Sequence, residues 1–278
     1  MLNILQTKDI EEQIKSDILK RISELEQEHI HPTLAIVNLE ISKDDLFYAK
    51  SIINKFASLG ISVQTLSLGS EYSLDEKRFE NLNNDKDVHG IIVLGKVPNS
   101  YKSMLSALKP YKDVDCYLDS NKCKIFLNDY PYFFPCTPLS VLEILKHFKI
   151  EISGKSVLVI GRSLVVGKPL SMMLLNENAT VTIAHSKTRN LKKIISYQDI
   201  IITCAGKAEL LSCEDFKDGQ TVIDVGINFK DGKLCGDVSM DKSADKNISI
   251  TPVPGGVGAI TTLILARQVA NVAYDGFE

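Results

Sequence analysis

Apolar residues recur along this chain with two spacings, one typical of helices and one typical of buried strands. Ile10, Ile14, Ile18, Ile22 and Leu25 stand four, four, four and three positions apart, and this stripe predicts a first helix over 7–28. Short apolar runs rich in β-branched residues follow and alternate with further helical stretches, as in a protein whose parallel strands are covered on both faces. The alternation predicts an α/β fold with parallel sheets and right-handed crossovers.

The predicted elements form two groups, with an irregular region between them. The first group has strands at 33–39, 62–68 and 90–94 and helices at 44–58 and 76–83. The second group has a helix at 138–149, strands at 157–160, 180–184, 200–205, 221–225 and 248–250, and a last helix at about 260–273. The region 109–138 is rich in proline and tyrosine, and we predict no regular element in it. Long irregular connections of this kind are usually functional.

Composition and charge narrow the class of protein. With 278 residues, 44% hydrophobic and 24% charged, the chain has the size of two domains and the composition of a soluble globular protein. A net charge of −3 gives no electrostatic reason to expect nucleic acid or an anionic membrane as a partner. Charged residues interrupt the N-terminal segment, and no apolar stretch approaches the roughly 20 residues that span a bilayer, so we expect neither a signal peptide nor a membrane anchor.

The cysteines indicate the compartment. The six cysteines include no C-x-x-C pair, and most of them stand inside apolar runs. This pattern favours buried free thiols in a reducing environment over a metal site. We therefore expect a cytoplasmic protein without a bound metal.

The segment after residue 155 has the pattern of a phosphate-binding turn. The apolar run 156–160 leads directly into Gly161, Ser163 and Gly167, and then into a helical stretch. A strand, a tight turn of small residues and a helix N-terminus together direct backbone N–H groups at an anion. Because Ser163 stands where the usual dinucleotide motif has its second glycine, the spacing alone is also compatible with an ordinary tight turn.

The end of the next strand indicates which dinucleotide would bind. NAD-binding folds place an acid there to hold the ribose hydroxyls, but the strand 180–184 ends in His185, Ser186 and Lys187. An acid would repel a ribose 2′-phosphate, whereas Ser186, Lys187 and the guanidinium of Arg162 are suited to hold one. The pattern therefore favours NADP. The alternatives are solvated charges on a turn and a strand-end histidine satisfied by backbone groups.

Further small-residue clusters follow other strands of the same group. They are Ala205 to Lys207, Asp224 to Asn228, and Pro252 to Gly258. Ligands bind beyond the carboxyl ends of the strands in an open parallel sheet, and glycine allows a loop to approach a flat ring closely. Four clusters at one predicted edge favour a cofactor site over simple turns.

These motifs resemble those of the bifunctional methylenetetrahydrofolate dehydrogenase/methenyltetrahydrofolate cyclohydrolase family, over nearly the whole chain. The segments that carry the resemblance are 112–115 (KDVD), 135–138 (PCTP), 161–169 (GRSLVVGKP), 180–188 (TVTIAHSKT), 224–228 (DVGIN), 236–238 (GDV) and 251–258 (TPVPGGVG).

The resemblance implies a fold and an assembly. It implies two α/β domains with parallel sheets around a cleft, usually assembled as a homodimer. We expect a catalytic, folate-binding domain at 1–137, completed by the C-terminal helix at about 262–278, and a Rossmann-type NADP-binding domain at 138–261. The implied reaction is the NADP-dependent oxidation of 5,10-methylenetetrahydrofolate to 5,10-methenyltetrahydrofolate in one-carbon metabolism.

The resemblance also implies site residues. The implied folate-binding residues are Tyr48, Asp115, Pro254, Gly255 and Gly258. The implied cofactor-binding residues are Gly161, Arg162, Ser163, Val166, Gly167, His185, Ser186, Ala205, Gly206, Gly226 and Ile227.

The N-terminal half departs from the family pattern at the cyclohydrolase centre, a Tyr-x-x-x-Lys pair on one helix. Counting back from Gly60 places Tyr48 at the tyrosine and Ile52 at the lysine. Counting forward from the preceding strand instead places Leu46 and Lys50 there. We prefer the first alignment because it needs no gap downstream. Lys50 stays a candidate catalytic residue with Tyr48 and Asp115, although it projects from another helix face than Tyr48.

Other departures lie nearby. Leu94 replaces the glutamine that supports the family's lysine, Cys116 and Leu118 replace a glycine and a histidine, and Ala259 replaces a proline. Asp115 is kept, and a carboxylate is the right group for a bidentate contact to an aminopyrimidine. The alternative role for Asp115 is capping a turn.

Hydride transfer needs orientation but no strict general base, whereas hydrolysis of the methenyl cation requires proton transfers. We therefore expect a dehydrogenase whose cyclohydrolase activity is weak or absent, unless Lys50 or Lys96 substitutes for the missing lysine. Two alternatives stay open. One is a dehydrogenase of another small pteridine, and the other is a non-enzymatic NADP-binding regulator or scaffold.

Overall fold

The chain forms two units in the computed structural model, which describes residues 2–69, 71–129, 131–240 and 246–276. One, here called the three-stranded unit, comprises Gln13–Cys136 and Thr262–Glu278. The other, the six-stranded unit, comprises Met1–Glu12 and Thr137–Thr261.

The strands and helices are numbered along the chain. The strands are β1 (Asn3–Ile4), β2 (Thr33–Leu39), β3 (Ser62–Ser67), β4 (Gly90–Gly95), β5 (Ser156–Ile160), β6 (Thr180–Ala184), β7 (Ile200–Thr203), β8 (Leu211–Ser212), β9 (Thr221–Asp224), β10 (Asn228–Lys230), β11 (Lys233–Cys235), β12 (Val238–Ser239) and β13 (Ser249–Ile250). The α-helices are α1 (Lys8–Gln27), α2 (Lys43–Ala57), α3 (Tyr72–Asn84), α4 (Asn99–Ser106), α5 (Asp119–Phe126), α6 (Cys136–His147), α7 (Gly167–Asn176), α8 (Leu191–Ile195) and α9 (Val257–Asp275).

The three-stranded unit is built on a parallel sheet with the order β3-β2-β4. Its central strand β2 is almost entirely apolar, and four consecutive residues from Leu34 to Val37 are fully buried. Helix residues such as Phe79 and Leu105 pack against this strand. Because both faces of β2 are covered, its run of β-branched and aliphatic residues reads as one continuous apolar stretch in the sequence.

The six-stranded unit has the parallel sheet order β1-β13-β9-β7-β5-β6. Leu158, Ile201 and Val222 on the central strands are fully buried in its core. The carboxyl ends of β5, β6, β7 and β9 share one edge of the sheet, and the loops that follow them begin there. The structure confirms the predicted α/β class with parallel sheets and a Rossmann-type C-terminal half.

The N-terminus adds a strand that the sequence did not predict. β1 pairs with β13, and the backbone N–H of Asn3 donates to Ile248 at 2.8 Å. Residues 2–12 therefore group with the six-stranded unit rather than with the remainder of the expected 1–137 domain. The end of the C-terminal helix expected at about 262–278 includes residues 277 and 278, which lie outside the described residues.

The region 109–138 is less irregular than predicted. It contains a 3-10 helix at Pro110–Lys112, the helix α5 and the start of α6. The prediction of no regular element was wrong for α5 because that helix buries only Asn121 and Ile125, which is too few for an apolar stripe. Helix α4 was also missed.

The structure shows where the cysteines and the most apolar helix lie. Cys116, Cys136 and Cys213 are buried and all six cysteines are free, but Cys123 is exposed on α5. Among the described residues, α9 is long and apolar enough to cross a membrane by length and composition. However, 72% of its most apolar stretch is buried inside the protein, which is the behaviour of a core helix.

Candidate active site

Helix α2 determines which side chains of the predicted tyrosine–lysine segment share a face. Ser42 and Asp45 form a reciprocal capping box that defines the start of the helix. Tyr48 and Ile52 then stand one turn apart, and Ile52 has no exposed surface. Lys50 is exposed on another face of α2. The structure therefore does not bring Lys50 to Tyr48 and Asp115, which corrects the catalytic role expected for it.

Asp115 and Tyr48 form the titratable centre of the three-stranded unit. One Asp115 carboxylate oxygen accepts the Cys136 backbone N–H at 2.9 Å. Burial raises the pKa of Asp115 to about 6, and the hydrogen bond from Cys136 works in the opposite direction. Burial, followed by the charge of Asp115, raises the pKa of Tyr48 well above its usual value. At neutral pH the Tyr48 phenol is therefore a donor and Asp115 is a carboxylate.

Two neighbouring carboxylates hold different backbone segments: Asp113 caps the turn that follows it, and Asp115 contacts the first residue of α6. The buried Asp113 carboxylate accepts the backbone N–H of Tyr117 at 2.7 Å and of Leu118 at 2.9 Å. It also accepts the Asn121 side-chain amide at 2.8 Å. Asp115 accepts the backbone N–H of Cys136, 21 residues away, and a hydrogen bond from the Cys136 thiol, and its two oxygens retain acceptor capacity for a ligand.

Gln268, a residue that the sequence pattern does not indicate, holds the segments that surround Asp115. The Gln268 side-chain amide on α9 contacts the carbonyl oxygen of Val114 at 2.6 Å and of Phe134 at 3.2 Å. It also lies 3.1 Å from the sulfur of Cys136. Gln268 is separated from these partners by more than 130 positions, so no local pattern indicates its role.

One departure from the family pattern has a visible backbone consequence. Cys116, where the family has glycine, adopts a φ of 56° in the left-handed region that favours glycine. Burial raises the pKa of its thiol to about 12, so the thiol stays protonated. Cys116 therefore acts as a small buried apolar group beside Asp115 and not as a nucleophile.

The turn after β5 is shaped by its glycines, as predicted. A Cβ on Gly161 would meet the carbonyl oxygen of Cys204, and one on Gly167 would meet the backbone of Gly161. The Ser163 hydroxyl oxygen accepts the backbone N–H of Val166 at 3.0 Å and of Gly167 at 3.3 Å. Its own O–H stays available as a donor, next to the N-terminus of the ten-residue helix α7.

The loop after β6 brings the residues of the predicted phosphate preference to the same sheet edge. The His185 N–H donates to the Thr188 hydroxyl at 2.9 Å, and His185 Nδ1 accepts the Lys187 N–H at 3.1 Å. Ser186 and Lys187 are exposed, as is Arg162 in the preceding loop. A backbone N–H therefore satisfies one nitrogen of the His185 ring, which is one of the alternatives that the sequence left open. The other nitrogen, Nε2, remains available to donate a hydrogen bond.

The fully buried Asp237 holds the loop after β7. Its carboxylate accepts the backbone N–H groups of Ala205 at 2.6 Å, Gly206 at 3.3 Å and Lys207 at 2.9 Å. It also accepts the Asn228 side-chain amide at 2.9 Å. No local pattern indicates this role of Asp237, since its partners lie 30 or more positions away, apart from Asn228.

A second buried carboxylate, that of Asp224, holds the backbone on both sides of Asp237. It accepts the backbone N–H groups of Gly226, Asp237 and Val238 at 2.9 to 3.1 Å and the hydroxyl of Thr203 at 3.0 Å. Burial raises the pKa of Asp224 to about 6, against the effect of these hydrogen bonds. The loops after β7 and β9 are therefore held by two buried carboxylates, and Asp224 is linked to Asp237 through the Asp237 backbone N–H.

The last predicted loop precedes α9. Pro254, Gly255 and Gly258 are exposed, and the Gly255 carbonyl accepts the Thr7 hydroxyl at 2.9 Å. A Cβ on Gly258 would lie 3.1 Å from the side chain of Ile227, which is itself half exposed. Glycine at 258 therefore leaves the Ile227 side chain room in the loop that follows β9.

An open parallel sheet with glycine-shaped loops at the carboxyl ends of its strands defines a Rossmann-type dinucleotide-binding protein, here joined to a second α/β unit. The chain belongs to the tetrahydrofolate dehydrogenase/cyclohydrolase family. The model of the family's catalytic domain matches residues 5–115, and that of its NAD(P)-binding domain matches residues 135–276. The family resemblance expected from the sequence is therefore confirmed.

Individual relatives resemble this chain over almost its whole length. It is 43% identical over 279 residues to the bifunctional protein FolD of Clostridium botulinum, covering 98% of this chain and 99% of the relative. The FolD crystal structure from Campylobacter jejuni has a TM-score of 0.91 at 33% identity and covers all of both chains. The Trypanosoma brucei FolD structure, complexed with NADP cofactor and inhibitor, has a TM-score of 0.90 at 30% identity and covers 99% of this chain and 98% of that one.

Proposed function

We propose that this chain catalyses the NADP-dependent oxidation of 5,10-methylenetetrahydrofolate to 5,10-methenyltetrahydrofolate in one-carbon metabolism. The observation that carries the proposal is the retained pair of Asp115 and Tyr48 in a chain of this family. The glycine-shaped turn at Gly161 and Gly167 fits NADP, because the two glycines let the turn pack closely against Cys204 and against itself at the N-terminus of α7, where backbone N–H groups favour an anion.

The chain's own residues bind and orient the two reactants. Asp115 accepts the amide edge of the pterin, and Tyr48 donates to the substrate beside it. Arg162 and Ser186 would hold the 2′-phosphate, and the loops supported by Asp237 would hold the nicotinamide end. When bound, NADP would supply the hydride acceptor for the oxidation of the methylene bridge. This step requires no protein base, so the altered residues around Asp115 are compatible with it.

The second family reaction is proposed to be weak or absent. Adding water to the methenyl cation requires proton transfers, which a lysine with a tuned pKa normally provides. Here the position one turn after Tyr48 is the fully buried hydrocarbon side chain of Ile52. Lys50 lies on another face and is exposed, so it does not take over that role.

The central experiment assays both half-reactions on one preparation, with NADP and NAD compared. We expect NADPH to form from methylenetetrahydrofolate, a preference for NADP of at least about tenfold from the charge-assisted phosphate contacts, and little hydrolysis of methenyltetrahydrofolate. Arg162→Ala should reduce the NADP preference, while Lys233→Ala, which removes an exposed cation from β11, should not. NADP binding without tetrahydrofolate binding would instead support a non-enzymatic regulator.

We also propose a cytoplasmic homodimer. The edge strand β3 leaves backbone groups unpaired along one side, and the helices before and after it expose large apolar side chains. These are Leu46, Phe47 and Ile53 on α2 and Tyr72 and Leu74 on α3. Exposed apolar side chains next to an open sheet edge favour association with a second copy.

The dimer is tested by light scattering after size exclusion. We expect the wild-type chain to elute as a dimer and Leu74→Glu to shift it toward monomer. Phe126→Glu is the matched control, because Phe126 is 70% exposed in the same unit but lies outside α2, β3 and α3. A wild-type monomer, or equal behaviour of the two variants, would contradict the proposed surface.

Asp237→Asn is expected to loosen the loop after β7. The amide presents an N–H₂ group to backbone donors that now share a carboxylate, so the free energy of unfolding should fall by about 1–3 kcal/mol. The KM for NADP should rise about tenfold, while the KM for the folate changes little. Denaturant unfolding and steady-state kinetics measure both effects. Asp231→Asn, in the exposed turn between β10 and β11, is the control and should leave both unchanged.

A further inference from the structure

A basic pocket of about 830 Å³ lies at the amino ends of β2 and β4 in the three-stranded unit. Thr33 begins β2 and His89 immediately precedes β4, so the pocket is at the opposite edge of the sheet from the strand ends Leu39 and Gly95. Six of its lining residues are basic: His29, His31, Lys86, His89, Lys109 and Lys112. The proposed reaction uses none of them.

Lys112 is an unusual lysine because only 4% of its surface is exposed. Its ammonium donates to the backbone carbonyl of Asp85, which accounts for one of three N–H donors. Within the described part of the chain, no carboxylate forms an ion pair with Lys86, Lys109 or Lys112. A buried ammonium that makes no ion pair is costly, so the pocket favours an anionic partner.

The charged neighbours of Lys112 act in both directions. Burial and then the charge of Lys109 lower the pKa of Lys112 to about 8, whereas the Asp85 carboxylate partly offsets them. Burial and then Lys112 lower the pKa of His89, while Asp87 and Asp85 act in the opposite direction. Asp87 is the one acidic residue among those that line the pocket. The described lining therefore has three lysines for one carboxylate.

Backbone groups hold the His89 ring at the wall of the pocket. Its Nδ1 accepts the backbone N–H of Thr33 at 3.2 Å, and the ring also hydrogen-bonds to the backbone of Asp87. Donor-rich walls with excess positive charge do not suit a cation. Consistent with this, the described residues contain no group of three or more His, Cys, Asp or Glu side chains placed to hold a metal ion.

We propose that this pocket binds a small multivalent anion that carries phosphate or carboxylate groups. The anion accepts the free N–H donors of Lys112 and lies between Lys109 and Lys112, where it replaces their repulsion by two attractions. The pocket is large enough for an anion of several charged groups. The site is separate from the folate and NADP sites, and its existence does not depend on the reaction proposed above.

The test is calorimetric titration of the full chain at constant ionic strength, with pyrophosphate in one arm and citrate in the other. We expect saturable binding in at least one arm, and the tighter arm identifies the anionic group. Two variants assign the binding to the pocket. Lys112→Met keeps the aliphatic stem, and the double variant Lys86→Gln/Lys109→Gln leaves the buried residue intact. Each should weaken binding at least tenfold.

Lys77→Gln on α3 is the matched control, because Lys77 is exposed in the same unit and does not line the pocket. The affinity of this variant for the anion should stay within twofold of the wild-type value. Pyrophosphate binding at the Gly161 turn would be unaffected by any of these substitutions. No saturable binding at millimolar anion, or unchanged binding in the double variant, would overturn the proposal. If Lys112→Met does not fold, the anion affinity of the double variant Lys86→Gln/Lys109→Gln tests the proposal.

Discussion

Ile52→Lys is expected to raise the cyclohydrolase rate by about 10²-fold or more, the size typical of one positioned acid–base group. Ile52 stands one turn after Tyr48 on α2, where the family's Tyr-x-x-x-Lys pattern has its lysine. An ammonium there would reach the same surroundings as the Tyr48 hydroxyl and supply the missing proton transfers. The dehydrogenase rate should change less than about threefold, because hydride transfer needs no protein base. Assays of both half-reactions on one preparation measure the two rates.

Ile52→Lys should also destabilise the protein, so the free energy of unfolding must be measured together with the two rates. Ile52 has no exposed surface, and a lysine in its place removes apolar packing and buries a charge, so unfolding should become easier by about 2–5 kcal/mol. Ile52→Met keeps the volume and is the control, with no gain in hydrolysis. Adding Leu94→Gln supplies the second group that the family pattern places beside the lysine. A folded Ile52→Lys variant with no gain would show that the missing lysine is not what limits hydrolysis.

Asp115→Asn is expected to lower kcat/KM for methylenetetrahydrofolate by about 10²-fold, since a carboxylate that accepts two hydrogen bonds contributes about 1.5–3 kcal/mol for each. The amide can accept at one position only and presents donors to the donors of the pterin edge. Asp119→Asn is the control, because that side chain is 99% exposed two residues after Tyr117. Steady-state kinetics with the folate as varied substrate measure the loss. A change of less than threefold would remove Asp115 from the substrate site.

The wild-type enzyme should also show the titration of Asp115. Its pKa is raised to about 6, so the carboxylate is lost as pH falls through 6 instead of near 4. The KM of the wild-type enzyme for the folate should therefore rise below pH 6. The KM of the Asp115→Asn variant should not change with pH over that range. Asp224 titrates near the same pH in the six-stranded unit, but it supports the cofactor loops. Its protonation should appear in the KM for NADP, which separates the two groups.

The local pattern of apolar residues was enough to predict the elements that have a strong periodicity or a continuous apolar run. β2 begins and ends where its apolar run predicted it, because a buried parallel strand is a continuous apolar stretch with turn residues at its ends. The bounds of β6 also match the prediction, although β6 is a partly exposed edge strand. Helix α5 and strand β1 were missed for the opposite reason. α5 buries two residues, and β1 is a two-residue strand that exists only because β13 pairs with it.

The sequence by itself determined the family, the class of fold, the glycine turn at Gly161 and the absence of a lysine one turn after Tyr48. Each of these depends on residues close together in the chain, where spacing and residue type carry the information. Only the tertiary structure decided that Lys50 is exposed, that Asp113 caps the turn at Tyr117 and Leu118, and that Asp237 and Gln268 hold the loops. It alone also assembled the basic pocket around Lys112. These features join residues that are distant in the chain, and burial and hydrogen bonding between such residues leave no periodic signal in the sequence.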